Sequence, residues 1–377
     1  MNVANSIRDL IKSGIGVYEE YGLKRFLIAS CSFVLWSILP EAKTKRVLSR
    51  SKILTTVYFY FFNSFYFEEK TILQGKAKNA ENPSSRARMI RLTHALEKGL
   101  TARDRRDLFF DGKIDELLTV TRDNISEIES SSGDSNELDR QIKWVLDTTD
   151  MYFSIVEQTD QIEAAQSQFQ KLLDDIDYQP ASERTPHPRS ELPRFSGSFD
   201  DFRTLTEQRT STRWFTEDPV PRDDLDKAID AALQSPTACN KQSYEFRIYD
   251  DREDILEICD LPLGAHGFKQ NIPCLIVIVG KQRAYHVARD KHNVYIDASL
   301  ASMTLQYALE SIGLASCCIN WHSNLKRDIK IGNLLGLDDD ETVIMLLAVG
   351  YPDPDDKVAY SEKRPLDQMR TYNELNS

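Results

Sequence analysis

Two unbroken apolar runs constrain this chain more than any other feature: Pro273–Gly280, PCLIVIVG, and Val343–Gly350, VIMLLAVG. A strand with one wet face alternates polar and apolar residues, whereas a run without alternation belongs to a strand covered on both faces. A sheet built on such strands needs helices above and below it, and the surrounding pattern supplies them. Asp223–Ser235 reads as a helix with acids in its first turn, and Tyr295–Ile312 as a long apolar helix rich in Ala, Ser and Leu. Leu325–Leu335 is a third helix and Arg252–Asp260 a short one. Glu245–Asp250 and Gly313–Trp321 read as further strands. The expectation is an α+β fold of the α/β-sandwich type, one central sheet flanked by helices, over residues 204–377.

Upstream the pattern differs. Residues 1–176 are expected to form a mostly helical, basic and aromatic N-terminal region. Arg86–Leu100 reads as a helix with Gly99 as its C-cap, Lys113–Ser130 as a second, and Leu138–Ile176 resumes the three-and-four spacing of an amphipathic helix. Asp177–Phe202 carries Pro180, Pro186, Pro188 and Pro193 among polar residues, so 177–203 is expected to be a linker.

Charge is uneven along the chain. Residues 1–100 hold 16 Lys and Arg against 8 Asp and Glu, a net +8, in a protein of net charge −12. The acidic remainder argues against nucleic acid as a partner, while the basic front allows contact with an anionic membrane surface. Two apolar runs there, 26–40 and 53–67, have 15 residues each. A spanning helix needs about 20. Packing in a helical core is the expected role, with an interfacial anchor as the alternative. The six cysteines show no metal-ligand spacing and no disulfide framework. The expected location is the cytoplasm, with a peripheral seat at the inner membrane face as the variant. Neither a Ser-His-Asp set nor a metal cluster stands out, and His286, His292, His322 and His94 form no catalytic group.

The chemistry concentrates between Arg209 and Tyr244. Arg209, Ser211, Arg213 and Phe215 give Arg-x-Ser-x-Arg-x-Phe, and a polar loop, Ser235-Pro236-Thr237-Ala238-Cys239-Asn240-Lys241-Gln242, follows one helix later. Two cations and a hydroxyl at alternating positions can hold a phosphate and a polarised ring together. Taken alone, the first motif would read as the start of a surface helix.

The order of parts resembles the nitroreductase family of flavin mononucleotide (FMN) enzymes over roughly Leu205 to Leu366. Asp297-Ala298-Ser299-Leu300-Ala301-Ser302-Met303, running on to Gly313-Leu314, resembles the central helix of that family. Val349-Gly350-Tyr351-Pro352 resembles its terminal strand, and Lys363-Arg364-Pro365 its last phosphate-binding cations. The resemblance implies FMN held by Arg209, Ser211, Arg213, Lys363 and Arg364. It also implies Pro236, Thr237, Ala238 and Asn240 reaching the flavin of a partner subunit, and backbone near Asn320 and Trp321 passing flavin N5. Lys269 and Asn271 are candidates for the pyrimidine side. Gln242-Ser243-Tyr244 departs from the Gln-Pro-Trp of the family, and the short Lys281–Val294 segment leaves the substrate unspecified. His94-x-x-Glu97-Lys98-Gly99-Leu100 resembles a motif in the front region of long nitroreductase-like proteins and is read as packing between domains.

The implied function is an FMN-dependent oxidoreductase, a homodimer that passes hydride from NAD(P)H through flavin N5 to an acceptor the sequence does not name. Two other readings stay open. One is a flavin-fold module in a membrane-associated or polysaccharide-biosynthesis assembly. The other is a flavin-dependent dehydrogenase of a natural-product precursor.

Overall fold

The computed structural model describes residues 65–131 and 138–373. The apolar run 26–40 lies outside them, as does 53–67 except for Phe65–Phe67. The described residues fall into two compact units, 65–71 with Ser323–Asn333, and the remainder. In the first, the Thr71 hydroxyl donates to the carbonyl of Phe67 at 2.8 Å, and the side chain of Asn324 accepts from the N–H of Lys326 at 3.1 Å. The second unit holds the sheet and the helical layer from Ile72 onward.

The helical layer comprises α1 (Phe65–Glu81), α2 (Arg86–Leu100), α3 (Asp111–Ser131), α4 (Arg140–Ile155) and α5 (Asp160–Asp175). Its core is the apolar stripe of each helix: Met89, Leu92 and Leu96 meet Ile114, Leu117, Ile142, Leu146, Ile162 and Phe169. Each fully buried side chain of this kind stabilises the fold by about 1.5–3 kcal/mol. Tyr152 is fully buried, and its hydroxyl donates to the carbonyl of Phe109 at 2.9 Å, which removes the cost of an unmet polar group.

Three expectations change here. The stretch 138–176 breaks into α4 and α5, because Val156 is extended and the Thr159 side chain caps the next helix by accepting from the N–H of Ile162 at 3.3 Å. Gly99 is not a C-cap. The helix runs through it to Leu100 and caps at Thr101, and a Cβ on Gly99 would lie 2.6 Å from the Phe109 ring. Part of the expected linker is helical: α6 (Phe199–Gln208) starts inside it, fixed by a capping box between Ser198 and Asp201. The segment before it is tied down by Asp147 of α4. This buried carboxylate accepts from the Tyr178 hydroxyl at 2.8 Å, the Ala181 N–H at 2.9 Å and Arg184 at 3.2 Å.

The sheet is antiparallel, in the order β1–β2–β4–β3, where β1 is Tyr244–Tyr249, β2 Cys274–Lys281, β3 Ala315–Asn320 and β4 Glu341–Gly350. The two apolar runs are β2 and β4, paired in the middle with Cys274 opposite Val349 and a bulge between Ile278 and Val279. Residues 274–279 are all 0 % exposed, as strands covered on both faces require. Helices α7 (Arg222–Ala232) and α9 (Asn293–Ser311) cover one face, packing Leu225, Ala228, Ala298, Ala301 and Leu305 against Ile276, Ile278 and Leu347. The remaining helices are α8 (Arg252–Cys259), α10 (Leu325–Leu335) and α11 (Leu366–Met369). Gly313 turns the chain from α9 into β3 at φ +84°, a conformation that favours glycine.

Candidate functional site

Strand β3 is the edge of the sheet, and the Arg209–Phe215 segment closes part of that edge. Ser211 pairs with Ser316 in a parallel bridge, and the Thr212 N–H donates to the Ser316 carbonyl at 3.1 Å. Alternation then sets the faces of the segment. Thr212 is buried, while Ser211 and Arg213 are exposed and Arg209 half-buried. Further on, Phe215 bridges to Pro352 and is 2 % exposed. Gly350 is required at this crossing, since a Cβ there would stand 2.8 Å from the Phe215 ring and 2.6 Å from Pro273. The Gly350-Tyr351-Pro352 motif thus serves the approach of the cationic segment to the sheet.

Asn271 completes the anchorage. Its side chain accepts from the Phe215 N–H and donates to the Phe215 carbonyl. Both ends of its amide are therefore engaged with backbone, which positions the segment. Lys269 is ion-paired with Asp260.

The cations bear on β3. Burial pushes the Cys317 thiol up, and Arg213 and Arg209 oppose that shift. Cys317 fills the core at 2 % exposure, whereas Cys318 is exposed, so only one of the adjacent pair is strand filling. Arg213 stands 6.0 Å from the centroid of the Phe268 ring. Because the Ser316 carbonyl faces away from β4, the two-residue period turns the backbone groups of Cys318 and Asn320 the same way. Asn320 is exposed at the strand end and Trp321 is 7 % exposed. An open strand edge with outward N–H groups beside two cations and a hydroxyl can bind an anionic, ring-bearing ligand.

The polar loop is shaped from below. Asp297 of α9 is buried and accepts from the Ala238 N–H at 3.1 Å and from the hydroxyls of Tyr285 and Ser243. Burial raises the Asp297 carboxyl despite these donors, and burial together with Asp297 keeps Tyr285 a phenol. Ser235 donates to Thr304 at 2.7 Å, and the Thr237 hydroxyl accepts from the Gln242 N–H at 3.2 Å. Cys239, Asn240 and Gln242 hold positive φ values of 57°, 55° and 48°, a sharp turn that leaves Pro236 exposed and Thr237, Ala238 and Asn240 half-buried. Helix α2 packs on this turn. His94 itself sits 3.8 Å from Glu97, whose carboxylate accepts from the Trp144 indole at 2.8 Å.

Arg209, Ser211 and Arg213 are thus gathered on one edge, with Asn320 and Trp321 ending the strand beside them. Lys363 and Arg364 are not gathered. They lie on the exposed tail after β4, and among the described residues neither is bonded to that trio. Asn271, a pyrimidine-side candidate in the sequence, is found clamping Phe215, and Asp297 as the floor of the loop had been given no role. Asp297 lay within a quoted motif, and its signal was a carboxylate in an otherwise apolar helix.

The nitroreductase family model matches residues 206–263 and 256–351. The chain is 24 % identical over 197 residues to an iodotyrosine deiodinase of Hydra vulgaris, a match covering 45 % of this chain and 72 % of that protein. It is 24 % identical over 170 residues to a candidate NADH dehydrogenase/NAD(P)H nitroreductase of Archaeoglobus fulgidus, covering 44 % of this chain and 93 % of the other. Among solved structures, an FMN-dependent nitroreductase from Clostridium difficile R20291 is 25 % identical, covering 45 % of this chain and 98 % of that chain, with a TM-score of 0.40. With its motifs along the β3 edge and a family match spanning that edge, the portion 206–351 of this chain is similar to the nitroreductase family.

Proposed function

We propose that the protein is an FMN-dependent oxidoreductase that takes hydride from NAD(P)H and works as a homodimer. The observation that carries this reading is the Arg209–Ser211–Arg213 strip fixed along the open edge of β3. When bound, FMN supplies the hydride chemistry. The chain supplies the rest. Arg209 and Ser211 suit the phosphate and its chain, since a guanidinium donates parallel hydrogen bonds to phosphate oxygens. Arg213, further along the same face, places a fixed positive charge where a reduced ring gathers negative charge. The outward N–H groups at the end of β3 orient the ring edge.

The homodimer rests on α9. Ile296 is 53 % exposed and Leu300 44 %, one turn apart on a helix whose opposite side is in the core and whose Tyr307 is covered by Phe202 of α6. Two large apolar side chains exposed one turn apart mark a face for a partner, and a second copy is the occupant that would also bring Pro236–Asn240 to a neighbouring flavin. The experiment is turnover: purified protein with added FMN should oxidise NADH or NADPH under aerobic conditions. Absence of oxidation of either, by flavin-loaded protein, would remove the hydride-donor part of the proposal.

A second reading concerns the acceptor. The relatives named iodotyrosine deiodinase favour a halogenated phenol reduced at carbon–halogen, and release of halide from an iodinated or brominated tyrosine would select it.

A further inference from the structure

We propose that the cavity enclosed by α1, α2, α3 and the Lys241 loop is a binding site for a small phosphate-bearing ligand, separate from the β3 edge. The cavity measures about 230 Å³ and is lined by Asn79, Arg88, Arg91, Glu116, Lys241 and His286 with smaller residues between them. Its charge is one-sided. Arg88 is spent on Glu116, its Nε donating to that carboxylate at 2.6 Å. Arg91 and Lys241 have no carboxylate partner among the described residues. Asp290 and Asp297 act on Lys241 only through space, and two cations with no bonded carboxylate match a phosphate dianion better than a carboxylate monoanion, guanidinium and ammonium being the two donors phosphate takes most readily. The volume is below that of a drug-sized pocket, so it suits a phosphate with a small body attached.

Lys241 is the decisive group. It is 7 % exposed, lines the cavity, and rests its Nζ 4.3 Å from the centre of the Tyr285 ring. No carbonyl or carboxylate hydrogen-bonds that Nζ among the described residues. A ring face offsets only part of the cost of burying an ammonium, and an anion in the cavity would supply what is missing. Burial holds Lys241 below its ordinary range, and burial lowers Lys76 nearby to about 8 and His286 with it, each of these two further depressed by the charge of Lys241. By contrast, the cavity of about 460 Å³ at Thr216–Pro219 and Gln270–Pro273 includes Glu217 and Asp250 in its wall and has no excess of cations.

Placement gives the site a consequence. Lys241 directly follows Asn240, so a ligand gripping Lys241 and Arg91 would tie α2 to the turn Ala238–Asn240. The helical layer would then set how firmly that turn is held.

The test is a calorimetric titration of the full-length protein with inorganic phosphate at constant ionic strength, in buffer free of other oxyanions. Saturable binding is expected, weakened roughly tenfold or more in Lys241→Met and in Arg91→Gln, with Arg91→Lys partly restoring it and acetate binding roughly tenfold more weakly than phosphate. An Arg209→Ala/Arg213→Ala variant separates this site from the β3 edge, and phosphate binding is expected to persist in it. No saturable binding, equal binding in Lys241→Met and Arg91→Gln, loss of binding with the β3-edge variant, or acetate binding as tight as phosphate would each overturn the proposal. Should Lys241→Met fail to fold, Arg91→Gln at the half-buried position decides.

Discussion

The side-chain amide of Asn271 replaces a strand partner for Phe215: Oδ1 accepts from the Phe215 N–H at 2.5 Å and Nδ2 donates to the Phe215 carbonyl at 2.9 Å. Phe215 closes the segment that begins at Arg209, so this pair of bonds sets where Arg213 can stand. Asn271→Leu fills the same space but leaves a buried N–H and carbonyl unmet. A loss of about 1–3 kcal/mol is expected in urea unfolding, together with weaker FMN retention. Normal stability and normal flavin content in this variant would mean the clamp is incidental.

Asp297 gives a pH signature. Its folded carboxyl titrates above the ordinary aspartate value because it is buried. Between the ordinary and the raised value, the folded protein keeps a proton that the unfolded chain has released. Stability contributed by this group is therefore full at low pH and falls as pH rises through that window. Asp297→Asn retains an oxygen for Ala238 and cannot ionise, so the slope of unfolding midpoint against pH in that window should flatten. An unchanged slope would place the titrating group elsewhere.

The exposed pair on α9 predicts the assembly. Leu300→Asp puts a charge at a position that is 44 % exposed in the single chain, so the fold should survive it. Light scattering behind size-exclusion chromatography is expected to give a dimer for the parent protein and a monomer with reduced flavin for the variant. A monomeric parent would end the homodimer proposal.

What could be read from sequence followed from locality. The runs at 273–280 and 343–350 announced the two central strands because a doubly covered strand needs no partner to look apolar. Arg209, Ser211 and Arg213 were visible because strand alternation puts them on one face. The break between α4 and α5 was hidden, since apolar spacing continues across Val156 and the cue was a single capping Thr159. The clamp was hidden differently: Asn271 acts on Phe215 from 56 positions away, and a side chain bonded to distant backbone leaves no periodic trace. The strand order has the same cause, because all four strands read alike until their neighbours are known. Lys363 and Arg364 were placed by motif order alone, and the chain holds them on an exposed tail instead of at the trio.

Flavin binding measures most directly whether Arg209, Ser211 and Arg213 on the β3 edge hold FMN. Full-length protein freed of bound flavin should quench FMN fluorescence in a saturable titration with one flavin per chain. Arg209→Ala combined with Arg213→Ala should weaken that binding by roughly a hundredfold, the loss expected for two charge-assisted contacts, while leaving the unfolding midpoint near that of the parent. A parent protein that takes up no FMN, or a double variant that binds it as tightly, would contradict the account.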